Sequence, residues 1–144
     1  MTSDERKYEL FRQELGMAQQ QVDKYDQLSS NIKAWAITLW TASSGWAIQT
    51  QNGSVALIGI VVVFIFWYTD AFNKTFRQDY KRRRVEVEKN LAEFAATGKF
   101  PEGAKSPRLP SHEKVGALRN MTLVHVGLPY MVLILLSVIF YLQF

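Results

Sequence analysis

The sequence predicts an all-α membrane protein: three transmembrane helices, with a long antiparallel hairpin of cytoplasmic helices extending from the first two. The first observation is that residues 34–69 and 121–144 contain no Asp, Glu, Lys or Arg over 36 and 24 residues. A helix at the surface of a soluble protein needs a polar face, so these stretches indicate burial in lipid. The second observation is that residues 1–33 and 70–97, which border the longer stretch, carry apolar side chains at helical spacing.

The two uncharged stretches predict three spans. A helix crosses the hydrocarbon core with about 20 apolar residues, so residues 121–144 fit one span. The longer stretch has too many residues for one span, and it contains the turn signal Asn52-Gly53. We therefore expect a two-span hairpin at 34–69, with short spans at about 34–49 and 54–69.

Residues 1–33 and 70–97 predict two cytoplasmic helices that lie side by side. The first is an amphipathic helix with a coiled-coil seam, and the second is basic, carries a comparable stripe and ends at Gly98 and Pro101. If the chain folds back near Asn52, facing residues have numbers that sum to about 102. The expected pairs are Tyr8 with Phe94, Phe11 with Leu91, Leu15 with Val87, and Val22 with Tyr80.

Charged residues predict the orientation. Residues 70–120 hold twelve cations and seven anions, whereas the turn at Asn52 holds none. Because Lys and Arg remain in the cytoplasm, we expect a cytoplasmic N-terminus and an extracytoplasmic C-terminus. Residues 98–120 are expected to form a loop and a short helix that return the chain to the membrane. Lys33 and Asp70, the first charges beyond the two spans, are expected to pair at one membrane level.

The residue types that enzymes use are scarce in this sequence. It has two histidines and no cysteine, and it lacks a glycine-rich phosphate loop and a close group of histidines with carboxylates. We therefore expect no catalytic residues, no bound metal and no cofactor.

The first predicted span carries a stripe of small and hydroxyl-bearing residues. At about 100° per residue, these side chains share one narrow face of the helix. The residues are Thr38, Thr41, Ala42, Gly45 and Gln49. One interpretation is close packing against a neighbouring helix, which small residues favour. The other is a water-filled pore in an oligomer, because a lone hairpin has too few helices to enclose a channel.

The basic segment Lys81, Arg82, Arg83 and Arg84 has three interpretations. It can be a solvated charged face that acidic neighbours partly neutralise. It can bind an anionic ligand, such as a nucleotide, an oligonucleotide or an acidic partner. If the helix lies flat on the membrane, it is a lipid-binding patch.

His125 lies one turn inside the third predicted span, four residues before Pro129. An ionisable group within the membrane is a functional hypothesis by default, because its charged form is costly there. The alternative is a neutral histidine that hydrogen-bonds a hydroxyl group of a neighbouring helix. The two interpretations stay open from the sequence.

The order of elements, together with "WYTDAFNKTFRQDYKRRRVEVEKNL" leaving the second span, resembles small bacterial membrane proteins of the SLATT type. A similar arrangement occurs in membrane effectors of the Hailong and CBASS anti-phage defence systems. The resemblance implies a homo-oligomeric channel in the bacterial inner membrane that a nucleotide-type ligand or partner gates and that dissipates the membrane potential when open. The alternative is a membrane-anchored coiled-coil adaptor that recruits a cytoplasmic partner enzyme.

Overall fold

The computed structural model describes residues 3–111 and 116–143, and the regular secondary structure of these residues is all α-helix. Four helices follow one another along it. They are α1 (Ser3–Thr50), α2 (Gly53–Thr97), α3 (Ala117–Met121) and α4 (Val124–Gln143). The prediction of an all-α fold is therefore confirmed.

The turn between α1 and α2 lies where the sequence indicated it, but the residues that form it have other roles than expected. Gly53 was expected to form the turn, whereas it is the first residue of α2. The positive φ of 51° belongs to Gln51 instead. Asn52 contributes through its side chain, because its Oδ1 accepts a hydrogen bond of 3.0 Å from the N–H of Ser54. This contact caps the N-terminus of α2, as asparagine commonly does.

Both long helices continue without a break from the charged segment of the sequence into the uncharged stretch. Residue Asp70 lies inside α2, so the uncharged and basic parts of this stretch belong to one helix. The helix ends at Thr97, where Gly98 adopts a positive φ of 70° and donates its N–H to the carbonyl oxygen of Phe94 at 2.8 Å. This is the helix end that Gly98 predicted.

Two of the described helices, α2 and α4, are long and apolar enough to cross a membrane. Helix α1 does not meet the same criterion, although residues 34–50 carry no charge. Its Thr, Ser, Gly, Trp and Gln residues lower the mean hydropathy of that stretch. The third predicted span begins slightly later than expected, at Val124, and contains Pro129. Residues 98–120 were expected to form a loop and a short helix. The short helix is α3, which begins at Ala117, and residues 112–115 lie outside the described residues.

The chain divides into two compact units, and the long helices contribute to both. The first unit contains described residues 3–26 and 76–111. Within it, Tyr8 contacts Phe94 with ring centroids 5.6 Å apart, which is one of the expected pairs. Phe11 stacks on Phe100 at 5.0 Å, in the segment that follows α2, a contact that the seam did not predict.

The second unit contains described residues 27–75 and 116–143. Its core brings α1, α2 and α4 together through Ala36, Val63, Tyr130 and Leu133. The indole Nε1 of Trp40 donates a hydrogen bond of 2.7 Å to the hydroxyl group of Ser137 on α4. The small residues Ala47, Val55 and Ala56 form a second buried cluster beside the turn. Close approach of α1 and α2 depends on these small side chains.

Candidate functional site

A buried carboxylate, Asp70, joins three helices of the second unit. Its side chain is 2% exposed. Oδ1 accepts a hydrogen bond of 2.5 Å from the hydroxyl group of Ser29 on α1, and Oδ2 accepts one of 3.1 Å from the hydroxyl group of Tyr130 on α4. The Nζ of Lys33 lies 3.5 Å from Oδ2, so the pair expected from residue numbering is present. Its location at a membrane surface stays a prediction.

A second polar contact in the same unit surrounds Asn120, the fourth residue of α3. Asn120 is 1% exposed. Its side-chain Nδ2 donates to the carbonyl oxygen of Ala71 at 3.3 Å and to the hydroxyl oxygen of Thr75 at 3.1 Å. Both acceptors lie on α2, one and five residues after Asp70. This amide therefore fixes α3 against α2.

The stripe predicted on α1 is exposed throughout in the second unit. All five of its residues have exposed side chains or, for the glycine, an exposed backbone. They are Thr38, Thr41, Ala42, Gly45 and Gln49. The side of α1 that packs against the chain's own core carries Ala36, Ser44 and Ala47, which are buried. At about 100° per residue the stripe lies on the opposite side of the helix from these residues. The packing interpretation therefore requires a partner from another molecule.

The two threonine hydroxyl groups of the stripe on α1 are satisfied by their own helix. Thr38 donates to the carbonyl oxygen of Ala34 at 2.9 Å, and Thr41 donates to that of Ile37 at 2.8 Å. Such bonds to the preceding turn remove most of the cost of placing a hydroxyl group away from water. The threonines of the stripe can therefore face a pore, another helix or lipid without leaving a hydroxyl group unsatisfied.

The four cations of the basic segment have different environments in the first unit. Lys81 is exposed. Arg82 Nη2 donates to Asp79 Oδ1 at 2.6 Å, and Arg84 Nη1 donates to Gln19 Oε1 at 2.7 Å. Arg83 is 5% exposed and pairs with Glu14. The interpretation of the segment as an anionic-ligand site does not extend to Arg83, because its guanidinium group is buried against a carboxylate of this chain.

Glu14 is the centre of a buried polar contact that we call the Glu14 clasp. Its Oε1 accepts a hydrogen bond of 2.7 Å from Arg83 Nε and one of 3.3 Å from the backbone N–H of Arg108. Its Oε2 accepts a hydrogen bond from the hydroxyl group of Ser106. Arg83 also donates through Nη2 to the carbonyl oxygen of Lys105 at 2.9 Å. The clasp thus ties the segment 105–108 to both long helices.

The clasp shifts the ionisation of both of its charged members. Burial alone would raise the pKa of Glu14, but the hydrogen bonds from Arg83, Ser106 and Arg108 lower that pKa below its ordinary value overall. Burial alone would lower the pKa of Arg83, but Glu14 and Glu86 raise it. Each charge therefore stabilises the other in its ionised form.

His125 is the second residue of α4 and is exposed. Because α4 begins at Val124, His125 lies at the start of this helix and not one full turn inside it. Neither of its two interpretations is decided by this position. Among the described residues, no group of three or more His, Asp or Glu side chains could hold a metal ion.

Sequence reasoning did not identify Glu14, Ser106 or Tyr130 as parts of polar sites. Glu14 follows the seam residue Phe11 at a spacing of three, where a charged residue on the inner face is a usable signal. No comparable sequence pattern indicates the contact of Tyr130 with Asp70, because helical periodicity does not specify which side of α4 meets the other helices.

The fold and these contacts define a class: an all-helical protein with two helices long and apolar enough to cross a membrane. Comparison of the chain with protein-family models, with curated proteins and with solved structures found no match.

Proposed function

We propose that this protein is a homo-oligomeric channel of the bacterial inner membrane, an effector of the SLATT type in an anti-phage defence system of the Hailong or CBASS kind. In this proposal it is not an enzyme. Residues 34–49 of α1 form a third span beside α2 and α4. The N-terminus is cytoplasmic, and so are the antiparallel parts of α1 and α2 beyond the membrane, while the C-terminus is extracytoplasmic. An open channel dissipates the membrane potential.

One observation carries the proposal: the small-residue stripe on α1 points away from the core of its own unit. Large apolar side chains flank this stripe on both sides of the helix. Trp35 and Trp46 are 55% and 56% exposed on one side, and Ile37 and Ile48 are 48% and 44% exposed on the other. These flanks suit lipid or helices of neighbouring copies. In a ring of copies, the stripe between them then faces the central axis.

The first unit supports a role in gating. It carries the basic segment, in which Lys81 is exposed and the side chain of Arg82 is 43% exposed beside Asp79. An anionic ligand of the nucleotide type, or an acidic partner, can contact these cations without breaking the Glu14 clasp. Because α1 and α2 are each one continuous helix, ligand binding on their cytoplasmic ends can be transmitted along them.

The decisive experiment measures ion flux through the purified full chain in liposomes under an imposed potential. It is run without ligand and with a set of cyclic and linear oligoadenylates. Thr41→Asp and Gly45→Leu are expected to change the conductance, because both positions lie on the stripe. Ile37→Phe is the matched control, because it enlarges an exposed side chain beside the stripe. Background flux in every condition, from protein shown to be inserted and oligomeric, would refute the channel.

A second candidate is the membrane-anchored adaptor that recruits a cytoplasmic enzyme. The observation that favours it is exposed apolar surface on the cytoplasmic part of α1, where Leu10 is 37% and Met17 is 54% exposed. A photo-crosslinker at either position in cells should then capture one enzyme reproducibly. A channel without an adaptor role gives crosslinks only to copies of the same chain.

A further inference from the structure

A cavity of about 410 Å³ lies within the first unit. Its walls come from three pieces of the chain: α1, α2 and the proline-containing segment 107–110. The apolar lining residues are Met17, Ala18, Tyr80, Pro107, Leu109 and Pro110. This volume lies in the range of about 300 to 1,000 Å³ that is typical of small-molecule sites. The cavity is distinct from the exposed face of the basic segment, since neither Lys81 nor Arg82 lines it.

The Glu14 clasp forms part of the cavity wall. Glu14 and Arg83 line it, and they bind Ser106, the backbone N–H of Arg108 and the carbonyl oxygen of Lys105, which fixes the start of the proline-containing segment. Pro107 and Pro110 restrict the backbone of that segment further. A site whose walls are fixed before binding loses less conformational entropy when a ligand enters.

The charges that line the cavity favour an anion. Glu14 and Arg83 neutralise each other at 2.7 Å. The remaining charged lining residue is Arg108, whose side chain is 58% exposed. Its Nη1 lies 3.9 Å from Glu86 Oε1, in a solvent-exposed pair that a stronger acceptor can displace. A guanidinium group binds a carboxylate through two parallel hydrogen bonds.

We propose that this cavity binds a small aromatic carboxylate. The ring of such a ligand packs between Tyr80 and the proline rings, and its carboxylate pairs with Arg108 at the cavity mouth. A nucleotide fits less well, because the edges of a base need several hydrogen-bond partners. Apart from the members of the clasp and Arg108, the polar side chains lining the cavity are the Gln21 amide and the Tyr80 hydroxyl. The proposal concerns binding and does not depend on channel activity.

The test uses the full chain in lipid nanodiscs and 6-fluoro-2-naphthoate, observed by ¹⁹F NMR against empty nanodiscs. We expect saturable binding of one probe per chain. Arg108→Gln keeps the backbone N–H that Glu14 accepts, and it should weaken binding about tenfold through loss of a charge-assisted hydrogen bond. Arg12→Gln, at an exposed position of α1 that does not line the cavity, is the charge-matched control and should leave binding unchanged.

A second pair of variants tests the location without touching the clasp. Met17→Trp places a large ring at the cavity mouth and should abolish probe binding, whereas Met17→Leu should retain it. Circular dichroism confirms that each variant keeps its helices. The proposal is wrong if Arg108→Gln and Arg12→Gln bind equally, if Met17→Trp still binds, or if adenosine monophosphate binds more tightly than the probe and displaces it.

Discussion

Removal of the Glu14 carboxylate should destabilise the first unit far more than removal of an exposed carboxylate. In Glu14→Ala, the guanidinium group of Arg83 stays buried, because 4% of this side chain is exposed. It loses its closest buried hydrogen-bond acceptor. Breaking a buried ion pair in this way costs about 3 to 5 kcal/mol. We expect the lower end, about 3 kcal/mol, because Arg83 retains Glu86 at 2.9 Å and the carbonyl oxygen of Lys105.

The assay is amide hydrogen exchange of the full chain in nanodiscs, read at peptides that contain Val87, which is 0% exposed in this unit. A loss of about 3 kcal/mol raises the exchange of amides that open with the unit by about two orders of magnitude. Glu9→Ala, at an exposed position of the same helix, is the control and should change the free energy of opening by less than about 0.5 kcal/mol.

The double variant Glu14→Leu with Arg83→Met separates the cost of an unpaired charge from the value of the pair. Replacing a buried ion pair by apolar side chains of similar volume is often neutral or stabilising. The double variant should therefore recover most of the stability that Glu14→Ala loses. The part that it does not recover comes from the hydrogen bonds that Ser106 and the backbone N–H of Arg108 donate to Glu14. If the double variant exchanges as fast as the single one, or if Glu14→Ala exchanges like Glu9→Ala, the reasoning about the clasp is refuted.

Three further predictions concern pH, the buried carboxylate of the second unit and one glycine. The pKa of Glu14 is lowered in the folded protein, so the stability that its carboxylate contributes is complete above the ordinary carboxyl pKa of 4.5 and is lost as the pH falls through the lower folded value. Amide hydrogen exchange of the first unit, measured from pH 7 to pH 3, should show this loss of stability. In Glu14→Gln the same measurement should depend less on pH. Asp70→Ala should lower the stability of the second unit by about 1 to 3 kcal/mol for each buried donor left without an acceptor, and Asp70→Asn should lower it less. Thermal unfolding in detergent compares the two variants with the original chain. Equal melting temperatures for all three proteins would contradict the contacts described. Gly127→Ala should destabilise, because a Cβ atom there lies 2.8 Å from the carbonyl oxygen of Met121, whereas Gly45→Ala meets nothing within 4 Å and should be neutral or stabilising in the same measurement.

The bounds of the long helices could be predicted because local chemistry determines them. The positive φ at Gly98 and the Asn52 side chain at the start of α2 are properties of a few neighbouring residues. The Tyr8–Phe94 contact could also be predicted, because two helical stripes and one short turn determine which residues face each other.

The contents of the polar sites could not be predicted, because they depend on segments that have no periodicity of their own. The four cations from Lys81 to Arg84 look equivalent in the sequence, yet successive residues of a helix point about 100° apart. Arg83 is the one that reaches Glu14. The donors Ser106 and Arg108 lie in a segment without regular structure, whose path depends on the clasp itself.

The low mean hydropathy of residues 34–50 does not argue against a third span in the proposed channel. A hydropathy scale counts each threonine as an exposed hydroxyl group, whereas Thr38, Thr41 and Thr50 all donate to carbonyl oxygens of their own helix at 2.8 to 2.9 Å. In the same way, the indole N–H of Trp40 is satisfied by Ser137. These four polar groups are therefore already paired, and the stretch carries no charge to desolvate. Its cost in a membrane is smaller than its composition indicates, and Gln49 at the end of the stripe is the residue for which contact with water matters most.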